Sequence, residues 1–293
     1  MAKKKKTVLG TILKILAIVL AVIVFIVGSI YCYLRFALGI DIFDIKNKLD
    51  LLNKDVNEST LIKNSYLEED ISNGLNLLFG ENTIYSKEEN GEVVFNIEEF
   101  ATLNLADAAK LTDKQFCAIA DLFVEHALSG TEQEEYAENI QIKQILFSNF
   151  SATENINSVN VNVIVKFSLM DIKNNLKKND NALTDFILNY IPDALYFTDD
   201  FIVQVNNTNN TYTTQSNYFI INQLSKQQSK EIINLFDKFF ANDNGIVEDI
   251  HKTIIGCLFG TSENIGLINS INGAIGFNFE QVENTIYILL KKA

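Results

Sequence analysis

The chain has no tryptophan, one proline, one arginine, two histidines and three cysteines among 293 residues. Each scarcity removes a class of function. Bidentate phosphate recognition favours arginine, and nucleic-acid binding needs clustered basic residues, so nucleic acid is not an expected partner. Histidine and cysteine are too few for ordinary zinc or iron ligation, which takes three or four protein ligands, and neither HExxH nor CxxC occurs. Beyond the apolar N-terminal run only Cys117 and Cys257 remain; a disulfide between them is open in an oxidising envelope, since sequence does not show proximity. With a single proline, at position 192, there is no proline-rich linker to mark a domain boundary.

Catalytic signatures are missing too. The sequence contains no G-x-S-x-G, no G-x-G-x-x-G and no P-loop. Adjacent acids occur at Glu68-Glu69, Glu98-Glu99 and Asp199-Asp200. Acid–base work requires one carboxyl in an apolar pocket, and pairs of this kind read as solvated charge. His126 and His251 read as solvated or edge histidines. No catalytic, cofactor-binding or metal-binding residue is assigned, and the leaning is away from an enzyme.

What is present begins at the N-terminus. Lys3 to Lys6 and Lys14 precede "ILAIVLAVIVFIVGSIYCYL", twenty uncharged residues at positions 15–34. A helix of that length spans about 30 Å, the thickness of a bilayer's hydrocarbon core. Tyr31 and Tyr33 stand where an interfacial aromatic belt falls, and the lysines predict a cytoplasmic N-terminus. The rival is a cleaved signal peptide, with Val27-Gly28-Ser29 as its cut. The apolar run continues to Leu34, however, which is longer than a signal's core, so an uncleaved anchor is the reading adopted. Lipoprotein processing at Cys32 is disfavoured by the bulky Tyr31 before it.

Residues 1–35 hold six basic residues and no acid, which leaves 18 lysines against 37 acids beyond them, a net of −19. Cys117 and Cys257, in the apolar helical contexts "KQFCAIADLF" and "KTIIGCLFG", read as two buried free thiols. Asparagine is heavily used, at 35 residues, which reflects coding bias in AT-rich DNA and a bacterial source. Four glycosylation sequons, at Asn57, Asn149, Asn206 and Asn209, therefore carry little weight.

The anchor and lysine cluster occupy residues 1–35, a helical juxtamembrane neck 36–79, and an extracytoplasmic α+β domain 80–293. In that domain "EVVFNIEEF" alternates as a short strand. Thr112 and Gln115 form a T-x-x-Q capping box for a helix striped by Phe116, Ile119, Ala120, Phe123 and Ala127, which Gly130 stops. "NIQIKQILFSNF" and 159–167 read as strands of a hairpin turning in "SATENIN". Ser168 caps a short helix "LMDIKNNLKK", and "ALTDFILNY" is helical. "ALYFTDDFIVQV" and "SNYFIINQL" are two more strands around the loop "NNTNNTYTTQ". Ser225 and Gln228 cap a helix carrying Ile232, Leu235, Phe236, Phe239 and Phe240. Helical stretches at 246–258 and 262–272 lead to a hairpin turning near Glu283-Asn284. The fold class is α+β: an N-terminal transmembrane helix and neck, then an antiparallel sheet against long amphipathic helices.

The most regular stretch is "SVNVNVIVKFSL", where Val159, Val161, Val163, Val165, Phe167 and Leu169 share one face. That face covers either an ordinary core or a groove for an oily ligand, and periodicity does not choose. The order "LTDKQFCAIADLFVEHAL", "IQIKQILFS", the strand 159–169 and "IPDALYFTDDFIV" resembles membrane-anchored bacterial relatives of the tubular lipid-binding (TULIP) superfamily over about residues 100–240. The resemblance implies a curled sheet wrapped on a helix and a groove for acyl chains. Under it Val161, Val163, Val165, Phe167, Phe116 and Phe123 line the cavity of a lipid-binding or apolar-ligand-binding module, with no cofactor. The alternative is an envelope scaffold with a solid core that binds other envelope proteins. Both share the anchor, which predicts that the full chain stays with membranes washed at high pH and that a C-terminal reporter lies outside the cell. Release by the wash, or a reporter inside, overturns the location.

Overall fold

A strand whose apolar residues keep to one phase needs a partner surface on one side only. The computed structural model shows what supplies it. It describes residues 42–80, 85–87, 93–95, 104–107, 109–128, 139–170, 173–174, 192–240, 245–261 and 266–293. Among these no helix is long and apolar enough to cross a membrane, and the expected anchor at 15–34 lies outside them.

Three helices come first: α1 (Ile42–Leu52), α2 (Glu58–Leu61) and α3 (Glu68–Phe79). A small antiparallel pair follows, β1 (Tyr85–Lys87) and β2 (Val93–Phe95). Next come β3 (Lys110–Thr112) and α4 (Asp113–Leu128), then four long strands. These are β4 (Ile140–Ala152), β5 (Ile156–Ser168), β6 (Ala194–Asn206) and β7 (Tyr212–Ile221). The chain closes with α5 (Lys226–Phe240), α6 (Ile246–Phe259), α7 (Leu267–Ser270) and the hairpin β8 (Ala274–Val282)–β9 (Thr285–Lys292). The architecture is α+β with antiparallel sheets, ordered β4-β5-β6-β7 and β3-β9-β8.

Local chemistry explains the boundaries. The Thr112 hydroxyl accepts from Gln115 N while the Gln115 side chain accepts from Thr112 N, so the expected capping box is formed. Ser225 and Gln228 do the same before α5. Glu283, with φ of 54°, turns the last hairpin at the expected place. Three expectations shift. The polar loop after β6 is shorter than read, because β7 already begins at Tyr212. The stretch 262–272 holds only the one-turn α7, residues 262–265 being undescribed. The segment read as a neck folds onto the domain, with Leu49, Leu52, Leu75 and Leu78 inside the common core. The helix "ALTDFILNY" and most of "LMDIKNNLKK" lie outside the described residues.

Register places the inner face of the four-stranded sheet. Phe147, Val161 and Phe201 form one cross-strand row; Ile145, Val163, Asp199 and Phe219 form the next; Ile142, Val165, Phe197 and Ile221 form a third. Against this face lies α6, whose residues 253–260 are all buried. A helix apolar on every side has to be surrounded, and here the second sheet closes the remaining flank. Rings fill the interval: Phe116 of α4, Phe147, Phe259 of α6, and Phe277 and Phe279 of β8, with centroids 4.8 to 6.1 Å apart. Tyr212 joins them and donates its hydroxyl to Gly260 O.

The exposed edge of β4 is covered by α4. Ile142 N donates to Asp121 Oδ1 at 2.5 Å, Phe147 N to Asp113 Oδ2 at 3.4 Å, and Cys117 Sγ lies 3.6 Å from Ile142 O. An asparagine ring ties the sheets together. Asn157 Nδ2 donates to Phe279 O at 2.8 Å and to Asn278 Oδ1 at 3.1 Å, and Asn278 Nδ2 donates to Asn207 Oδ1 at 2.9 Å.

The C-terminus of α6 is sealed by Gly266, where a Cβ would strike the carbonyl of Gly256 and the amide of Gly260. Those are backbone atoms and cannot swing aside. Gly266→Ala should therefore lower unfolding stability by about 2–3 kcal/mol, read from a urea transition.

Candidate functional site

In a strand, neighbouring residues face opposite sides, so Asp199 and Asp200 of β6 enter two different environments. Both are expected in solvent, and His251 as a solvated or edge histidine. The structure corrects that: Asp199 is 0 % exposed, Asp200 9 % and His251 6 %.

Asp199 falls on the apolar phase of β6, between Phe197 and Phe201, with Val163 and Phe219 across from it. His251 reaches it from α6, with Nδ1 2.7 Å from Asp199 Oδ2, and the Phe201 ring packs edge-on to the imidazole at 5.2 Å. Asp199 Oδ1 is buried and has no hydrogen-bond partner among the described residues. Burial pushes the Asp199 carboxyl above the usual carboxylate range, and the contact with His251 pulls the other way.

Asp200 points to the outer face and joins a polar ladder that crosses all four strands. Gln144 Nε2 donates to Asn162 Oδ1 at 2.8 Å, and Asn162 Nδ2 to Asp200 Oδ2 at 3.2 Å. Asn217, at the β-bulge opposite Asp200, donates Nδ2 to Asp200 Oδ1 at 2.9 Å. Tyr218 flanks Asp200, with Lys226 Nζ 3.9 Å above its ring.

The ladder's other end meets the segment around α2. Gln144 Oε1 accepts from Lys63 N at 2.7 Å and from Asn64 N at 2.9 Å. Glu58 accepts from Lys166 Nζ at 2.7 Å and from the Tyr196 hydroxyl. These two bonds hold the Glu58 carboxyl below its usual range. A third carboxylate, Asp121, accepts from Tyr66 OH as well as from the β4 edge; burial raises it.

The arrangement has the parts of a buried acid–histidine dyad but no nucleophile beside it that the described residues identify. Among them no three His, Cys, Asp or Glu side chains come together as a metal cage. Cys117 and Cys257 are buried and unpaired, as expected, with burial pushing the Cys257 thiol up to about 12 and Cys117 well above its ordinary value. The side chain of His126 lies outside the described residues.

The six expected lining residues, Val161, Val163, Val165, Phe167, Phe116 and Phe123, are all buried in one contiguous apolar cluster. Phe116 stacks against Phe259 at 6.1 Å, and Phe167 packs edge-on to Phe197 at 5.1 Å. Reading by residue type missed Asp199 and His251, although a signal existed. Asp199 interrupts the apolar phase Leu195, Phe197, Phe201, Val203, and His251 sits four residues before Ile255 on the buried side of α6. No family model, no curated protein and no solved structure matches the chain.

Removing one partner of a buried pair leaves the other unsatisfied, whereas replacing both with apolar groups is often neutral. His251→Leu should cost about 3–5 kcal/mol in urea unfolding, and adding Asp199→Leu should restore most of it. Because the Asp199 carboxyl is raised, the native state holds that proton more tightly than the unfolded chain does. Its contribution is therefore greatest at low pH and fades as pH climbs through the raised value. The wild type should lose ground to the double variant across that range.

Proposed function

We propose that the chain is a membrane-tethered interaction module of the cell envelope, whose acidic outer surface meets basic partner proteins and whose interior is filled by its own side chains. One observation carries this reading. The apolar face of β5 looks onto α6 and a run of phenylalanine rings contributed by α4, β4, α6 and β8. Such rings occupy the space that an acyl chain would take in a sheet wrapped around a lipid. The net of −19 beyond residue 35 supplies long-range attraction for cationic surfaces and repels anionic lipid headgroups.

A second reading keeps the apolar-ligand module, and Asp199 Oδ1 favours it. An unpaired carboxylate oxygen on an otherwise apolar face would accept a hydrogen bond from the amide or hydroxyl head of a ligand lying along Val161, Val163 and Val165. The two readings part cleanly in one measurement. Native mass spectrometry of the full chain released from detergent should give the bare mass, and photo-crosslinks from exposed positions should trap basic envelope proteins in a salt-sensitive way. A stoichiometric lipid adduct that disappears in Val163→Asp while the fold persists would reverse the order of the readings.

A further inference from the structure

The segment between α1 and α3 is attached differently from everything else in the domain. From residue 53 to residue 73 no side chain is fully buried. Residues 53–64 nevertheless lie on the outer face of the sheet, held there by polar contacts, before Tyr66 packs against the core and donates its hydroxyl to Asp121. Gln223 Oε1 accepts from Asn57 N at 3.2 Å, and Gln223 Nε2 donates to Asn57 O at 2.8 Å and to Thr60 Oγ1 at 2.6 Å. Glu58 bonds Lys166 and Tyr196. Lys63 N and Asn64 N share Gln144 Oε1, and Asn64 Nδ2 reaches Ile145 O at 3.2 Å.

The sheet beneath has the opposite character. Tyr196, Ile164, Thr198 and Gln144 occupy adjacent positions on the outer face of β4, β5 and β6 and are all buried. Thr198 Oγ1 has no hydrogen-bond partner among the described residues, so covering this hydroxyl carries a desolvation cost that no bond among them offsets. An element with little buried apolar area, fixed by hydrogen bonds near solvent, belongs to the low-stability end of a fold.

We propose that residues 53–64 are a polar strap that lifts from the outer face as a unit while the sheets, α6 and the Tyr66–Asp121 contact stay folded. The anchors at its two ends are apolar and buried, Leu49 and Leu52 on one side and Leu75 and Leu78 on the other, so the strap opens as a loop held at both feet. Opening uncovers a strip that presents a carboxylate site, Lys166 with Tyr196, beside an amide acceptor, Gln144. The strap itself currently fills both, through Glu58 and through two consecutive backbone N–H groups.

Hydrogen exchange on the full-length chain in detergent tests this. Amides of Thr60 to Asn64 should exchange at least roughly a hundredfold faster than those of β5, with a weaker urea dependence than β5, because opening exposes only the strip around Ile164 and Tyr196 and not the inner core. Glu58→Gln should speed the strap roughly fivefold further and leave β5 unchanged. In Thr198→Cys, a soluble thiol reagent should label position 198 at the strap's opening rate while Cys257 stays silent. Strap exchange that keeps the same urea dependence as β5, or a Glu58→Gln effect equal in both, would show that the segment opens only when the whole domain unfolds and would overturn the proposal. If Thr198→Cys does not fold, exchange of the wild type and Glu58→Gln decides the matter alone.

Discussion

The C-terminal half of α6 has no wet side, and that constraint organises the rest of the domain. A helix buried at every residue from 253 to 260 has to be enclosed by other elements, because each exposed aliphatic or aromatic side chain would forgo roughly 1.5–3 kcal/mol of burial. The inner face of β4 to β7 supplies one wall, β8 and β9 another, and α4 and α7 the ends. Phenylalanine is the residue that closes the gaps. Flat rings at offset and edge-on angles fill the wedge between the two sheets, and Phe116, Phe147, Phe259, Phe277 and Phe279 are the five placed there. A tryptophan there would need a partner for its ring N–H, and the wedge offers few.

Within that enclosure the Asp199–His251 pair is an exception that costs stability in isolation. It does bear on the register of β6. A one-residue slip of β6 would put Asp200 in the core and Asp199 outside, away from the imidazole that partners it. The same slip would strip Asp200 of Asn162 and Asn217. Two adjacent acids with different partners on opposite faces thus lock β6 to one alignment more firmly than alternating valines could, since valines tolerate a shift by two residues.

Where side-chain period and capping chemistry determine the structure, the chain was readable. The β5 alternation, both capping boxes and the final hairpin are local: each depends on residues within a few positions of one another. The fate of Asp199-Asp200 was not local. Their residue types say "solvated", and only their phase within β6 says otherwise, a phase that has meaning once the inner face is known. His251 is the same problem on a helix. The packing of the segment 36–79 is a related case: Leu49, Leu52, Leu75 and Leu78 have the spacing of an amphipathic helix whether the partner is another helix or the domain itself, and spacing does not name the partner. The rings that share the interior with the β5 face, Phe259, Phe277 and Phe279, lie about ninety or more positions from its end, beyond the reach of local pattern.

The two faces of the long sheet consequently differ in kind as well as in polarity. The inner face is held by non-directional apolar packing, which tolerates rotation of side chains but not removal of the partner surface. The outer face is held by directional bonds between groups that water would satisfy nearly as well, so losing any one of them changes little in net free energy. A chain that enters the domain along the outer face can therefore exchange its contacts for water, or for another carboxylate and another pair of amides, without disturbing α6. Had Glu58 and Asn57 been leucines seated against Ile164, the entry segment would have become part of the core, and motion at the N-terminal side would be coupled to global unfolding.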